Sequence, residues 1–544
     1  MELIYSFTVA LFLTIALMPL IIRFAPSLGL MDNPTEARKM HTRIIPRCGG
    51  IAMALGIALP LAVLLARTAL APQGLALIAL FIGCSIIVFF GVLDDRANLH
   101  YRWKFAGQIV ATAVVLYGGF IIHRVPMMGI GQAPAWISYP LSFFFILGVT
   151  NAVNLTDGLD GLAGGTSLLT LSVIVAFALL TGNHGVALIA VTVIGGILGF
   201  LRYNTFPAQV FMGDTGSQFL GFIAACLSIS VTQAETSAFS SAVPLLLLGL
   251  PVLDTLTVMS IRLREGRSPF SPDRNHLHHQ MIALGFRHNE AVATIYVLQV
   301  ILLAIAFIFR FADDSLLLAI YGLFCASLLT VLTLAKRSGR RFHADQPHQE
   351  FIDRRNIFLR QLEWFYQYSA HIMQLLLAMA LLLPLLCRNS TAAIEFRLLL
   401  IPLLVALAVL GFRRFPAWGT RLCVYPAAVW SVYLMTISPE FGPVLPAINM
   451  YFGFIALVLA IAIRMTRREH FRLDTQDLLV LVMVVVVPLL PFESMNRFAI
   501  GEIVLRLAVL MYSCEFILAK TQGKALLPLN GVASFSLLLT LFLR

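Results

Sequence analysis

The 544-residue chain is 59% hydrophobic and only 12% charged, with a mean hydropathy of +0.89. A soluble globular protein does not cover its surface with so few charges, so the composition excludes that class. The formal charge of +11 would suit a nucleic-acid partner, but its distribution along the chain points elsewhere.

Apolar runs of about 17 to 22 residues recur from end to end, long enough to cross a hydrocarbon core of roughly 30 Å at 1.5 Å per helical residue. They predict an all-α polytopic integral membrane protein with about 11 N-terminal transmembrane helices plus about 7 C-terminal ones. The first run, Leu3 to Ile22, has Glu2 before it and Arg23 after it. A cleavable signal peptide needs the reverse, so a retained span with its N-terminus outside is expected. If every run crosses, 30 of the 38 lysines and arginines fall in loops on the side of Arg23. That side is then cytoplasmic, and its charge suits anionic lipid headgroups or a phosphorylated substrate better than DNA. The seven cysteines are scattered, mostly within apolar runs and without a C-x-x-C pair. They read as small hydrophobes and argue against a disulfide or zinc framework.

The same loops hold the other polar residues. In chain order they read DNPTEARKMHTRIIPRCGG (Asp32 to Gly50), DDRANLHYRWK (Asp94 to Lys104), NAVNLTDGLDGLAGG (Asn151 to Gly165), FMGDTGSQF (Phe211 to Phe219) and RLREGRSPFSPDRNHLHHQMIALGF (Arg262 to Phe286). Asp94 and Asp95 close an apolar run, where a helix C-terminus disfavours negative charge, so capping does not explain the pair. The Asp-Gly repeats at Asp157 and Asp160 are, taken alone, turn chemistry. Asp214, in a Gly-Asp-Thr-Gly turn before an apolar run, could be an N-cap and no more. His276, His278 and His279 could bind zinc, but no cysteine lies nearby and carboxylates are hard oxygen ligands. That donor set favours Mg²⁺, with Mn²⁺ as the alternative. Arg262, Arg264, Arg267 and Arg274, with Asn275, suit phosphate oxygens. Metal, carboxylates and a basic loop on one membrane face point to chemistry on phosphates. No G-x-x-x-x-G-K-[ST] motif occurs, so a P-loop ATPase is not indicated.

Five of these pieces, DNP with RKMH and IPRCGG, GVLDD, NAVNLTDGLDGLAGG, FMGDTGS and SPDRNHLHH, resemble in this order the polyprenyl-phosphate N-acetylhexosamine-1-phosphate transferases. The likeness covers roughly residues 1–340 and says nothing of the remainder. It implies transfer of a sugar 1-phosphate from a UDP-N-acetylhexosamine to polyprenyl phosphate, with Mg²⁺, giving polyprenyl-diphospho-sugar and UMP. It makes Asp214 the metal ligand, and Asp94 and Asp95 the acidic pair near the lipid phosphate, one of them the base. It makes Asn154, Asp157 and Asp160 the donor-site cluster, with His276 and His279 as the preferred diphosphate contacts. Lys39, His41, Arg47, Asn151, Arg274 and His278 in the same loops, with Arg202 and Asn204 just before FMGDTGSQF, are candidate substrate-binding residues. The branch making the peptidoglycan lipid precursor resembles K-x-G-T-P-T-M-G-G in the first loop, with a longer histidine run. HTRIIPRCGG from His41 and the shorter HLHH stand here instead, which favours UDP-GlcNAc or a related donor. The expected location is a bacterial inner membrane, multi-pass, with the site on the cytoplasmic face. The expected protein partners are a second copy or later enzymes of a glycan pathway, and no nucleic acid.

The competing class is a transporter or lipid flippase. It would place ionisable residues near the bilayer midplane, in broken helices and often in repeated halves. Here the acids close or open the apolar runs on one face, and DGLDG has no second copy. The sequence therefore divides into a transferase domain at 1–340, a basic cytoplasmic linker at 341–369 and an accessory membrane domain at 370–544. In that last domain Arg506 and Glu515 lie within the penultimate run, spaced as much like span ends as like a site.

Overall fold

The computed structural model describes residues 2–32, 44–68, 74–128, 132–234, 237–268, 275–338, 363–383, 417–437, 439–465, 500–521 and 526–542. Lys39, His41 and Arg274 lie outside them. The chain folds as two compact units that divide near residue 345.

The first unit is built from α1 (Glu2–Leu28), α2 (Gly49–Thr68), α3 (Gly74–Ala97), α4 (Tyr101–Tyr117), α5 (Ala135–Thr156), α6 (Leu162–Leu180), α7 (His184–Asn204), α8 (Gly213–Thr232), α9 (Val243–Leu247), α10 (Gly249–Arg264), α11 (Leu277–Ala283), α12 (His288–Ile308) and α13 (Asp314–Arg337). Nine of these are long and apolar enough to cross a membrane. The 17-residue α4 and the pair α9 and α10, broken at Leu248, are shorter. A helix can break inside a membrane only if its freed carbonyls find partners. At this break Thr170 and Gln299 donate to the Leu247 carbonyl at 3.1 and 3.0 Å, and the Tyr321 hydroxyl donates to Gly249 at 2.9 Å.

Nearly every residue of α8 is buried, and α8 packs against α3, α5, α2 and α6. Two glycines bring neighbouring backbones onto its first turn. A Cβ on Gly50 would stand 2.3 Å from the Gly216 nitrogen, and one on Gly91 would stand 2.5 Å from the Thr215 Cα. Any larger side chain at either position would push α2 or α3 away. The short strands β1 (Met31–Asp32) and β2 (Ile45–Pro46) pair antiparallel, and Phe211 donates its N–H to Pro46. Gly49 and Gly50 then donate to the carbonyls of Phe211 and Met212. The FMGD segment is thus held on both sides before α8 begins.

The second unit contains α14 (Glu363–Leu382), α15 (Ala417–Ile437), a 3₁₀ turn (Pro439–Val444), α16 (Leu445–Met465), α17 (Ile500–Lys520) and α18 (Leu527–Phe542). Its core includes Met373, Leu377, Val424, Ile455, Leu510 and Phe516. The buried Arg506 guanidinium donates to Asn449 at 2.7 Å and pairs with Glu502, while the Tyr425 hydroxyl donates to Glu515. Both charges flagged in the sequence therefore have partners inside this unit, as buried ions require.

Candidate active site

Helix α8 opens without a cap of its own, because Met212 at the N-cap position makes no side-chain bond to the first turn. Asp95 supplies the cap from the end of α3. Its Oδ1 accepts the Asp214 N–H at 2.8 Å, and its Oδ2 accepts the N–H and hydroxyl of Thr215 at 3.0 and 2.6 Å. Orphan amides and the helix dipole both favour a carboxylate there. The acid that α3 itself disfavours is thus explained by the helix it serves. Gly213, with φ +71°, leaves the room: a Cβ on it would lie 2.5 Å from the Asp95 carboxylate.

Asp214 is not the cap; it projects from the first turn of α8. Its Oδ1 accepts from the Asn154 amide at 2.7 Å and its Oδ2 from the Lys104 ammonium at 2.5 Å. Lys104 also lies 3.2 Å from Asn154 Oδ1 and 3.4 Å from Asp94 Oδ2. One cation therefore bridges Asp94 and Asp214, and Asn154 is aligned by a further bond to Ser217 at 2.8 Å. Asn151, one turn deeper in α5, pairs with Gln108 through both ends of its amide at 2.8 and 3.3 Å. It braces α4 against α5 rather than facing the acids.

The DGLDG turn is tied down from several directions. Gly161 donates its N–H to Asn204 at 2.9 Å and accepts from the Tyr296 hydroxyl at 2.7 Å, while Asn204 donates to Val210 at 2.8 Å. Asp160 accepts the Ala208 N–H at 2.9 Å. Asp157 ends α5, half-buried. Burial, followed by the charges of Asp214, Asp95 and Asp160, pushes its carboxyl up to about 7. Arg47 pulls the other way without cancelling this. Arg47 is held 2.6 Å from Asp32, and Arg202 is exposed in the last turn of α7.

The histidines approach from α11. His278 is buried against the turn, its Nε2 2.1 Å from where a Cβ on Gly158 would stand. Burial and the neighbouring His279, His276 and His288 lower its pKa well below the usual imidazole range, so it is neutral at neutral pH. His276 is buried with its ring stacked on that of His278, and His279 is more open. The structure thus joins Asp94, Asp95, Asn154 and Asp214 directly, with Asp157 beside them and His278 packed on the same turn.

The model of glycosyl transferase family 4 matches residues 77–232. A Bacillus subtilis protein named as a probable undecaprenyl-phosphate N-acetylglucosaminyl 1-phosphate transferase is 35% identical over 299 residues, covering 55% of this chain and 82% of that one. The chain belongs to glycosyl transferase family 4. A Mycolicibacterium smegmatis decaprenyl-phosphate N-acetylglucosaminephosphotransferase is 36% identical over 296 residues, 49% of this chain and 72% of that one. An Escherichia coli K12 undecaprenyl-phosphate alpha-N-acetylglucosaminyl 1-phosphate transferase is 30% identical over 285 residues, 50% of this chain and 74% of that one.

The matched segment of this family 4 chain contains the acids and the DGLDG turn, and the packing of His278 on Gly158 brings the histidines to them from beyond it. Two participants escaped the reading of the sequence. Lys104 was counted only as one of the loop's positive charges, although it carried a signal. It lies in the first turn of α4, where the dipole disfavours a cation unless acids stand opposite. Asp254 carried a weaker one, a lone carboxylate in the apolar run GLPVLDTLTVM. It meets His276 only in three dimensions.

The donor set fits a hard divalent ion. Asp94, Asp214 and the Asn154 carbonyl oxygen already surround one positive group. Among the described residues no three His, Cys, Asp or Glu side chains form a closed metal cage. Mg²⁺ characteristically takes one or two carboxylates and completes its shell with water and substrate phosphates.

Proposed function

We propose that the chain transfers N-acetylglucosamine 1-phosphate from UDP-GlcNAc to a polyprenyl phosphate, releasing UMP, at the cytoplasmic face of a bacterial inner membrane. The observation that carries this reading is the convergence of Asp94, Asn154 and Asp214 on one cationic centre, at one end of a helical bundle belonging to this family. The positive-inside asymmetry supports the cytoplasmic assignment of that end. An oxygen of the lipid phosphate attacks the sugar-bearing phosphorus of the donor. The bond between that phosphorus and the bridging oxygen breaks, and UMP leaves carrying the bridging oxygen on its own phosphate.

Asp214, with Asn154 beside it, would hold Mg²⁺ on the donor diphosphate. The ion would neutralise the diphosphate and improve UMP as a leaving group. Lys104 adds a second positive group for the same oxygens once the donor loosens it from Asp214. Asp94 lies on the lipid-phosphate side of Lys104 in this reading and orients or deprotonates the acceptor. Asp95 keeps Asp214 aimed, and the DGLDG turn with His278 forms the donor wall. Purified full-length protein with Mg²⁺, undecaprenyl phosphate and a panel of UDP-sugars is expected to release UMP fastest from UDP-GlcNAc, and to stop when the ion is chelated. No UMP from any UDP-N-acetylhexosamine would return the transporter class to the front.

In the same reading residues 1–340 form the transferase, 341–369 a linker and 370–544 an accessory domain that docks a later enzyme or guides the lipid product. A chain ending at Gln349 follows an odd number of crossings, so its new C-terminus stays on the basic side. It is expected to insert and to keep most of the UMP release of the full chain. Inactivity of a correctly inserted truncated chain, restored by adding residues 350–544 separately, would make the second domain part of the catalytic unit.

A further inference from the structure

Asp254 is a largely covered carboxylate in the middle of α10, with 10% of its side chain exposed. Its Oδ2 lies 2.9 Å from His276 Nδ1, and its Oδ1 accepts the Leu277 N–H at 2.7 Å. His276 stands at the N-cap of α11 but makes no cap bond with its own side chain. Asp254 does for α11 what Asp95 does for α8: a carboxylate from another helix takes the free amide of the first turn. It also settles the imidazole. A carboxylate can only accept, so the proton of His276 sits on Nδ1 and the working atom of the ring is Nε2.

We propose that Asp254 is a positioning residue for the transfer reaction, acting through His276: it fixes the tautomer and direction of that ring, so that the Nε2 lone pair accepts from an O–H or N–H of the sugar-nucleotide donor. This rests on the reading of His276 as part of the donor site. The ring cannot turn freely, because it is 5% exposed and lies parallel to His278 at 5.9 Å, and His278 is wedged on Gly158. One carboxylate in α10 therefore sets the register of the whole histidine run against the DGLDG turn. Isosteric replacement by an amide keeps the Leu277 bond through Oδ1 but turns an N–H toward His276 Nδ1. The ring then has to hold its proton on Nε2, the opposite tautomer.

The test is a double-mutant cycle in the full-length protein, read as UMP release at saturating donor and as donor KM. Asp254→Asn is expected to lower kcat about 30-fold with KM within about threefold, and His276→Gln by a similar factor, acting-as-a-unit losses being non-additive. The combined variant is expected to be no slower than His276→Gln alone. Asp254→Glu, which keeps an acceptor-only group, is expected to recover part of what Asp254→Asn loses. If Asp254→Asn melts early in detergent, Asp254→Ser, which also removes the carboxylate, replaces it in the cycle. Full activity of His276→Gln would remove His276 from the donor site and leave Asp254 with nothing to act through. An impaired His276→Gln beside an unimpaired Asp254 variant would overturn the positioning role alone. So would losses that multiply in the double variant, since these mark Asp254 as an independent structural brace.

Discussion

Asp214→Asn is expected to lower kcat by about 1,000-fold while the protein stays folded, the loss typical of removing one preorganised electrostatic group from a reacting centre. The substitution keeps the size of the side chain. It also keeps an acceptor for one of the two bonds that Asn154 and Lys104 donate. It removes the charge that faces Lys104 and that a hard divalent ion would need. Helix α8 should be undisturbed, because its free amides are taken by Asp95 and not by Asp214. A melting temperature near that of the parent, combined with collapsed UMP release at saturating Mg²⁺, is the expected result. Near-parental turnover would place the ion elsewhere.

Asp94→Asn and Asp95→Asn are expected to fail in different ways, although the two residues are adjacent. Asp94 lies 3.4 Å from Lys104 and also bonds Asp214 through its side chain. Its amide variant should fold normally and lose about 100-fold in kcat, with donor affinity little changed, if it orients or deprotonates the acceptor. The second ionisation of a phosphate lies near pH 6, so electrostatic positioning alone could account for the loss. Activity that recovers as pH rises would single out deprotonation, since the acceptor then ionises without help. Asp95 accepts three bonds at the start of α8, and an amide can serve only one side of that set. Its variant should be destabilised by about 2 kcal/mol, the usual scale for a lost cap or a lost bond to a charged group. Thermal melts of both variants in the same detergent, beside kcat and donor KM, separate the two roles. Equal stability of the pair would contradict the cap.

Much of this was legible in the chain itself. Helix class and approximate number follow from the length of the apolar runs, because a bilayer of fixed thickness leaves a membrane chain few other solutions. The side expected to carry the site is read from where lysines and arginines accumulate. The residue types of the site also show in the sequence: carboxylates, amides and histidines concentrated in five loops of one face stand out against so apolar a background. The two intramembrane charges of the second unit could be seen, but not that Arg506 is joined to Asn449 and Glu502 and Glu515 to Tyr425.

Which of those polar residues face one another was decided only by tertiary structure. Asp94 and Asp95 are neighbours in sequence, yet the helical turn sends one toward Lys104 and the other onto the amides of α8, 119 and 120 positions away. Asn151 and Asn154 look equivalent in NAVN, but the deeper one meets Gln108 and the outer one meets Asp214. Lys104 reads as one more positive loop charge until α3, α5 and α8 close around it. Asp254 reads as an isolated acid until α11 docks on it. The physical reason is the same in each case. Hydrophobicity and loop charge act through averages over many residues and survive as one-dimensional patterns, whereas a hydrogen bond depends on a few tenths of an ångström, which here are set by glycines that let α2 and α3 press against the first turn of α8.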